Sequence, residues 1–287
     1  MGLDRVYNDL LAIRPKETGD PRPISRAEAL KEKRHASKSR IRAAVQITKE
    51  QIPENSRLRI PGAILSVEDV QEALRYLETL GPVTEKSRLL HLHVRRVGEF
   101  ARRVTEKLQE SDNVNTAEFA SLDPRTVEIE GLFHDIGKVA GQFGYLRTEY
   151  EGDAILKRAG MAHLIVDTVR LGKKFKTLEQ LKPIEKIIMY ADICGGVDSA
   201  DPTRIMTYEE RLRQHEQTRT LSTYTQYTGQ MPAFASEIHG LLALDRRDKE
   251  RYSQLYRDLD NYFHDLGIDR EKIREEIMRD EASAKMT

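Results

Sequence analysis

Cysteine is almost absent from this chain, an excess of charge of either sign is absent, and so is any long apolar run. The single cysteine, Cys194, excludes an internal disulfide framework and fits a reducing compartment, so a cytoplasmic location is expected. Charged residues make up 33% of the sequence, yet Lys+Arg and Asp+Glu stand at 47 each, so no net field draws the whole molecule toward nucleic acid or an anionic membrane. Any such binding has to come from local patches. The amino terminus carries acidic residues early and no apolar core, and "MGLDRV" lacks the Ser/Thr of a myristoylation signal. The expectation is a soluble protein with no signal peptide, no spanning helix and no membrane partner.

Alternating, turn-bounded strand patterns are also nearly missing, whereas apolar residues at helical spacing recur throughout. An all-α fold follows. Three regions are expected: a polar, basic N-terminal arm with helical segments at 1–62, a core at 63–200 and a helical extension at 201–287. Within the arm the basic run "KEKRHASKSRIR" has no interleaved aromatics, which favours a solvated helix or flexible arm over a nucleic-acid contact. Helices are expected from Ser66 to Gly81 and at about 86–110, 124–142, 151–159, 161–171 and 179–194, with a long one at about 233–264. The stripe of that long helix runs through Phe234, Ile238, Leu241, Leu242, Tyr252, Leu255, Leu259 and Tyr262, and suits packing on the core or on a second copy in a homo-oligomer. Residues 196–231 are weaker in pattern, and the Thr/Tyr/Gln-rich stretch "TRTLSTYTQYTGQM" within them reads as loop.

Helical periodicity then separates titratable residues that face the core from those that face water. His93 lies on the stripe of Leu90, Val94, Val97, Ala101, Val104 and Leu108, while His91, about 200° around the helix, falls among Arg95, Gly98 and Arg102 and is expected to be exposed. Asp192 continues the apolar line of Ile184 and Ile188, where an unpartnered carboxylate would cost several kcal/mol and so calls for a cation, strong donors or a metal. In "EGLFHDIGKVAG", His134 and Asp135 flank an apolar face, and Gly131 leaves room for close approach. A nearly identical string, "NYFHDLGID", places His264 and Asp265 on the polar end of the long helix, where the helix dipole suffices to explain a histidine. The remaining histidines, His35, His163, His215 and His239, read as ordinary surface residues.

The ordered set His93, His134-Asp135 and Asp192 resembles the HD superfamily of metal-dependent phosphohydrolases. "HVRRVGEFARRV" is similar to that family's first ligand helix, "GLFHDIGK" to its central motif and "IIMYADICGG" to the helix that delivers its last aspartate. The resemblance covers about residues 86–200 and implies an HD-domain helical bundle with additional N- and C-terminal helices. It implies His93, His134, Asp135 and Asp192 as ligands of one divalent ion (Mn, Fe, Co, Ni, Zn or Mg), which would polarise a phosphoryl group and acidify a water. Multi-metal members add histidines after the central motif; Thr148, Glu149 and Tyr150 and the "RLGKK" run offer none, which favours one metal. Asp135 is expected to be catalytic as well as a ligand, and Lys138 and Arg96, each one turn beyond a histidine, to hold phosphate oxygens.

The expected function is hydrolysis of a nucleotide or another small phosphorylated metabolite by a metal-activated water. Tyr224, Tyr227 and the cluster Lys173, Lys174 and Lys176 are candidate pocket elements. Two alternatives stand beside it: a metal-dependent nuclease that uses the basic arm on DNA or RNA, and a non-catalytic HD module for ligand sensing or scaffolding.

Overall fold

The computed structural model describes residues 26–80, 85–141, 148–164, 176–198, 201–218 and 235–284. These residues form ten α-helices joined by short 3₁₀ turns, and no strand beyond an isolated bridge between Val197 and Ile205. The helices are α1 (Arg26–Gln51), α2 (Val67–Leu80), α3 (Glu85–Glu110), α4 (Pro124–Phe133), α5 (Ile136–Gly141), α6 (Thr148–Arg158), α7 (Pro183–Cys194), α8 (Tyr208–Thr218), α9 (Ala235–Asp265) and α10 (Arg270–Ala284). The all-α expectation therefore holds. Among the described residues no helix is long and apolar enough to cross a membrane.

α3 is the central post. Leu90 and Val94 face a core built from α1, α2, α4, α5 and α6. Val97, Phe100, Ala101, Val104 and Leu108, further along the same stripe, face a second core built from α7, α8, α9 and α10. Burial on both sides leaves α3 no freedom to rotate, and this fixes the direction in which His93 points.

Close helix packing sets the rest. A Cβ on Gly131 of α4 would come within 2.9 Å of the Gly98 Cα on α3, and one on Gly98 within 2.9 Å of the Glu128 carbonyl oxygen. Two glycines at the crossing thus let the two backbones touch. Gly195, at the end of α7, plays the same part against Val97, whose backbone nitrogen would lie 3.1 Å from an added Cβ. α4 begins as the sequence suggests, with the Asp123 carboxylate accepting from the Thr126 N–H at 2.8 Å and proline in the first turn.

The structure departs from the sequence reading in four places. The helix expected over 124–142 is broken at His134 and Asp135 into α4 and α5. Residues 41–58, expected within a polar arm, instead contribute Ile41, Ala44, Ile47, Ile52 and Leu58 to the first core. The Arg59 side chain ties this segment to α6 by donating to the Ala159 carbonyl at 2.6 Å. α8 forms in the weakly patterned region before the loop stretch, and a helix not foreseen, α10, follows α9. α9 spans nearly the range expected for the long helix, and Tyr252, Leu255 and Leu259 of its stripe are buried in the second core. Residues 1–25, Lys173, Lys174, Tyr224, Tyr227 and Phe234 lie outside the described residues, as do the side chains of His35, Thr148, Glu149, Tyr150, His215, Ile238, His239, Leu241 and Leu242.

Candidate metal centre

Three helical elements converge on one buried spot. α3 delivers His93, the break between α4 and α5 delivers His134 and Asp135, and α7 delivers Asp192. Ligating atoms of His93, His134 and Asp135 all lie within 4.8 Å of one another. The His93 Nε2 is 3.9 Å from Asp135 Oδ2 and 3.0 Å from Asp192 Oδ1. The His134 Nε2 is 3.5 Å from Asp135 Oδ2 and 3.6 Å from Asp192 Oδ1. Two imidazole nitrogens and two carboxylate oxygens thus face a common point.

His134 and Asp135 sit at the junction of α4 and α5. Adjacent helical residues point about 100° apart, so the two meet only at a point off the helix, between their two directions, where His93 and Asp192 also lie. α5 restarts at once because the Asp135 carbonyl accepts from the N–H groups of both Lys138 and Val139, at 2.8 and 3.0 Å.

His134 is also locked in a usable tautomer. Its Nδ1 lies 2.6 Å from the Gly131 carbonyl, an acceptor, so Nδ1 carries the proton and Nε2 presents its lone pair inward when the ring is neutral. That Nε2 is buried and has no hydrogen-bond partner. A histidine oriented from behind by a backbone carbonyl is the usual support of a metal-ligating imidazole.

Electrostatics point the same way. At Asp192 burial opposes ionisation, but the imidazoles of His134 and His93 facing it outweigh burial and hold the carboxyl well below its usual range. Burial at Asp135 is likewise overcome, by Lys138 first and then His134, so that carboxyl also sits low. Burial disfavours the charged form of His134 too, yet Asp135 and Asp192 hold it above its ordinary value. His93 is shifted down, by burial first. Two ionised carboxylates in a largely buried site need positive charge, and the two imidazole nitrogens facing them complete a donor set suited to a divalent ion. The residues present fit such an ion.

Exposure is uneven. The side chains of His93, His134 and Asp135 keep a tenth or less of their surface, whereas Asp192 keeps 31%. The site therefore opens on the Asp192 side.

Of the two cations expected to hold phosphate, only one is at the site. Lys138 Nζ is 2.6 Å from Asp135 Oδ2, and its side chain is 39% exposed. Arg96 is corrected. It is 1% exposed and points away, donating in a fork to both Glu281 oxygens at 3.0 and 2.7 Å, and to the carbonyls of Arg204 and Pro202 at 2.9 and 3.0 Å. With four of its five N–H donors committed and its surface buried, this guanidinium holds α10 and the 202–204 backbone against α3 rather than a phosphate. Two smaller corrections concern the pocket candidates and the histidines. Lys176 is bound to Glu185 at 2.6 Å, and His91 is half-buried rather than exposed, with its Nε2 lacking a partner. His264 and Asp265 are exposed at the end of α9, as expected, and His163 is partly buried.

Residues 91–195 match the family model of the HD domain. That match supports assigning this segment to the HD superfamily. No curated protein and no solved structure matches it.

Proposed function

We propose that this protein is a metal-dependent phosphohydrolase that binds one divalent ion through His93, His134, Asp135 and Asp192 and hydrolyses a small phosphorylated metabolite, a nucleotide being the favoured class. One observation carries the reading: four ligand atoms from three elements meet in a site that is buried except on one side. When bound, the ion would supply Lewis acidity toward a phosphoryl oxygen and a more acidic water.

The chain's own residues do the rest. His134 is held by Gly131 with Nε2 inward, so no rotamer search precedes binding. Asp135 balances the charge of Lys138 while facing both imidazoles. Lys138, partly exposed beside Asp135, is placed to neutralise a phosphate oxygen that enters from solvent. In the hydrolysis itself a P–O bond to water forms, the P–O bond to the leaving group breaks, and the proton released from water passes to solvent or to the leaving oxygen.

The test is a panel of nucleotides, phosphomonoesters and phosphodiesters offered to protein loaded in turn with Mn²⁺, Co²⁺, Ni²⁺, Fe²⁺ and Mg²⁺, beside Asp135→Ala. Release of phosphate, pyrophosphate or triphosphate that vanishes in the variant supports hydrolysis at this site and identifies the bond cut. Protein that binds no divalent ion and gains no thermal stability from one contradicts the reading.

A further inference from the structure

α7 ends at Gly195, and the chain doubles back on itself before α8 begins. Gly196 O accepts from the Met206 N–H at 2.9 Å, and Val197 bridges Ile205. Charged side chains fasten this return. Arg204 pairs with Asp198 and, at 2.7 Å, with Glu210. Buried Arg96 holds the carbonyls of Pro202 and Arg204 from beneath. α8 then starts with a reciprocal cap, Thr207 N–H donating to Glu210 at 2.8 Å and Glu210 N–H to the Thr207 hydroxyl at 3.2 Å. The first turn of α8 is therefore fixed in place.

That turn carries Arg211, half-buried, directly over Gly196. An added Cβ on Gly196 would lie 2.7 Å from Arg211 Cδ, 3.1 Å from its Cγ and 3.1 Å from its Nε. Only a residue without a side chain lets the arginine lie there. Gly196 follows Asp192 by four residues, and Asp192 forms the open side of the site. Four residues are about one helical turn, so the Arg211 stem lies about one turn beyond Asp192 at the end of α7.

We propose that Arg211 is the residue that receives the substrate's phosphate, approaching it across Gly196 from the open, Asp192 side and opposite Lys138. The proposal rests on the phosphohydrolase reading above and deepens it. It assigns recognition of the anion to a helix outside the 91–195 match, and gives Arg96 the role of positioning that helix rather than of touching substrate. A planar guanidinium suits a phosphate because its parallel N–H groups meet two oxygens in a fixed fork, a geometry that a lysine ammonium lacks.

The probe is inorganic phosphate, titrated calorimetrically into Mn²⁺-loaded full-length protein, with Mn²⁺ content measured separately. Wild type is expected to bind phosphate, and Arg211→Ala to bind it about tenfold more weakly with its Mn²⁺ content unchanged. Arg211→Gln keeps the aliphatic stem on Gly196 and is expected to show the same loss, so the test survives a folding defect in the alanine variant. Gly196→Ala, which forces the stem aside, is expected to weaken phosphate while sparing Mn²⁺. Arg213→Ala, on the exposed face of the same helix, is expected to behave as wild type. Equal phosphate affinity in wild type and Arg211→Gln, or no phosphate binding by Mn²⁺-loaded wild type, would overturn the proposal while leaving the metal site intact. Wild type that takes up no Mn²⁺ would instead remove the phosphohydrolase reading, and this proposal with it.

Discussion

Phe133-His134-Asp135-Ile136-Gly137 and Phe263-His264-Asp265-Leu266-Gly267 differ at one residue in five. Both phenylalanines are buried, and so are Ile136 and Leu266. The histidines and aspartates between them share nothing else. In the first string the backbone leaves one helix and enters another, and the two polar side chains turn in toward His93 and Asp192. In the second the helix simply ends: Gly267 takes φ 87°, its N–H reaches the His264 carbonyl at 2.9 Å, and both polar side chains stay in water. A dipeptide therefore carries no chemistry of its own. What distinguishes the first copy is a neighbouring helix that supplies a second histidine, a third that supplies a carboxylate, and glycines that let the helices meet.

Changes that break this comparison should have graded effects. His134→Ala or Asp135→Ala removes a ligand, and metal binding together with any hydrolytic activity should fall to background, as read by metal analysis and phosphate release. Arg96→Ala strips a buried cation from Glu281 and two backbone carbonyls, which should cost about 3 kcal/mol in denaturant-unfolding experiments. Gly131→Ala forces α4 off α3, with an expected loss of about 1–3 kcal/mol and a lower metal affinity. His264→Ala combined with Asp265→Ala should leave stability within about 0.5 kcal/mol of wild type and metal content unchanged.

A pH experiment sharpens the contrast one turn earlier in each string. Glu130 is buried four residues before His134, and burial pushes its carboxyl up to about 8. Asp260, four residues before His264, is instead paired with Arg270. A raised folded-state value means that Glu130 favours the fold fully below the ordinary glutamate range, and that this contribution is lost as pH climbs toward about 8. Unfolding midpoints should therefore fall across that window in wild type and vary less in Glu130→Gln.

The sequence makes legible whatever depends on periodicity within one helix. His93 and Asp192 interrupt apolar stripes, Gly131 announces a close approach, and the all-α pattern has no competitor. What depends on distant partners is not legible. Arg96 sits one turn from a ligand and looks available until Glu281, far along the chain, is found to claim it. α10 buries Ile273 and Ile277, but its charged face is placed by Arg103, Lys107 and Arg96 on α3 pairing with Glu276, Asp280 and Glu281, a register that no single-helix pattern encodes. The break at His134 escapes the same reasoning because its flanks are both good helix. Arg211 has no motif around it; its signal is Gly196, whose need for open space appears only once α8 is in place.

If packing context turns one His-Asp pair and not the other into a metal site, divalent metal content per chain will separate wild type, His134→Ala and His264→Ala after equilibration with Mn²⁺ and removal of free ion. One equivalent is expected in wild type and His264→Ala and none in His134→Ala. Equal content in the two variants, or none in wild type, would contradict that dependence on context.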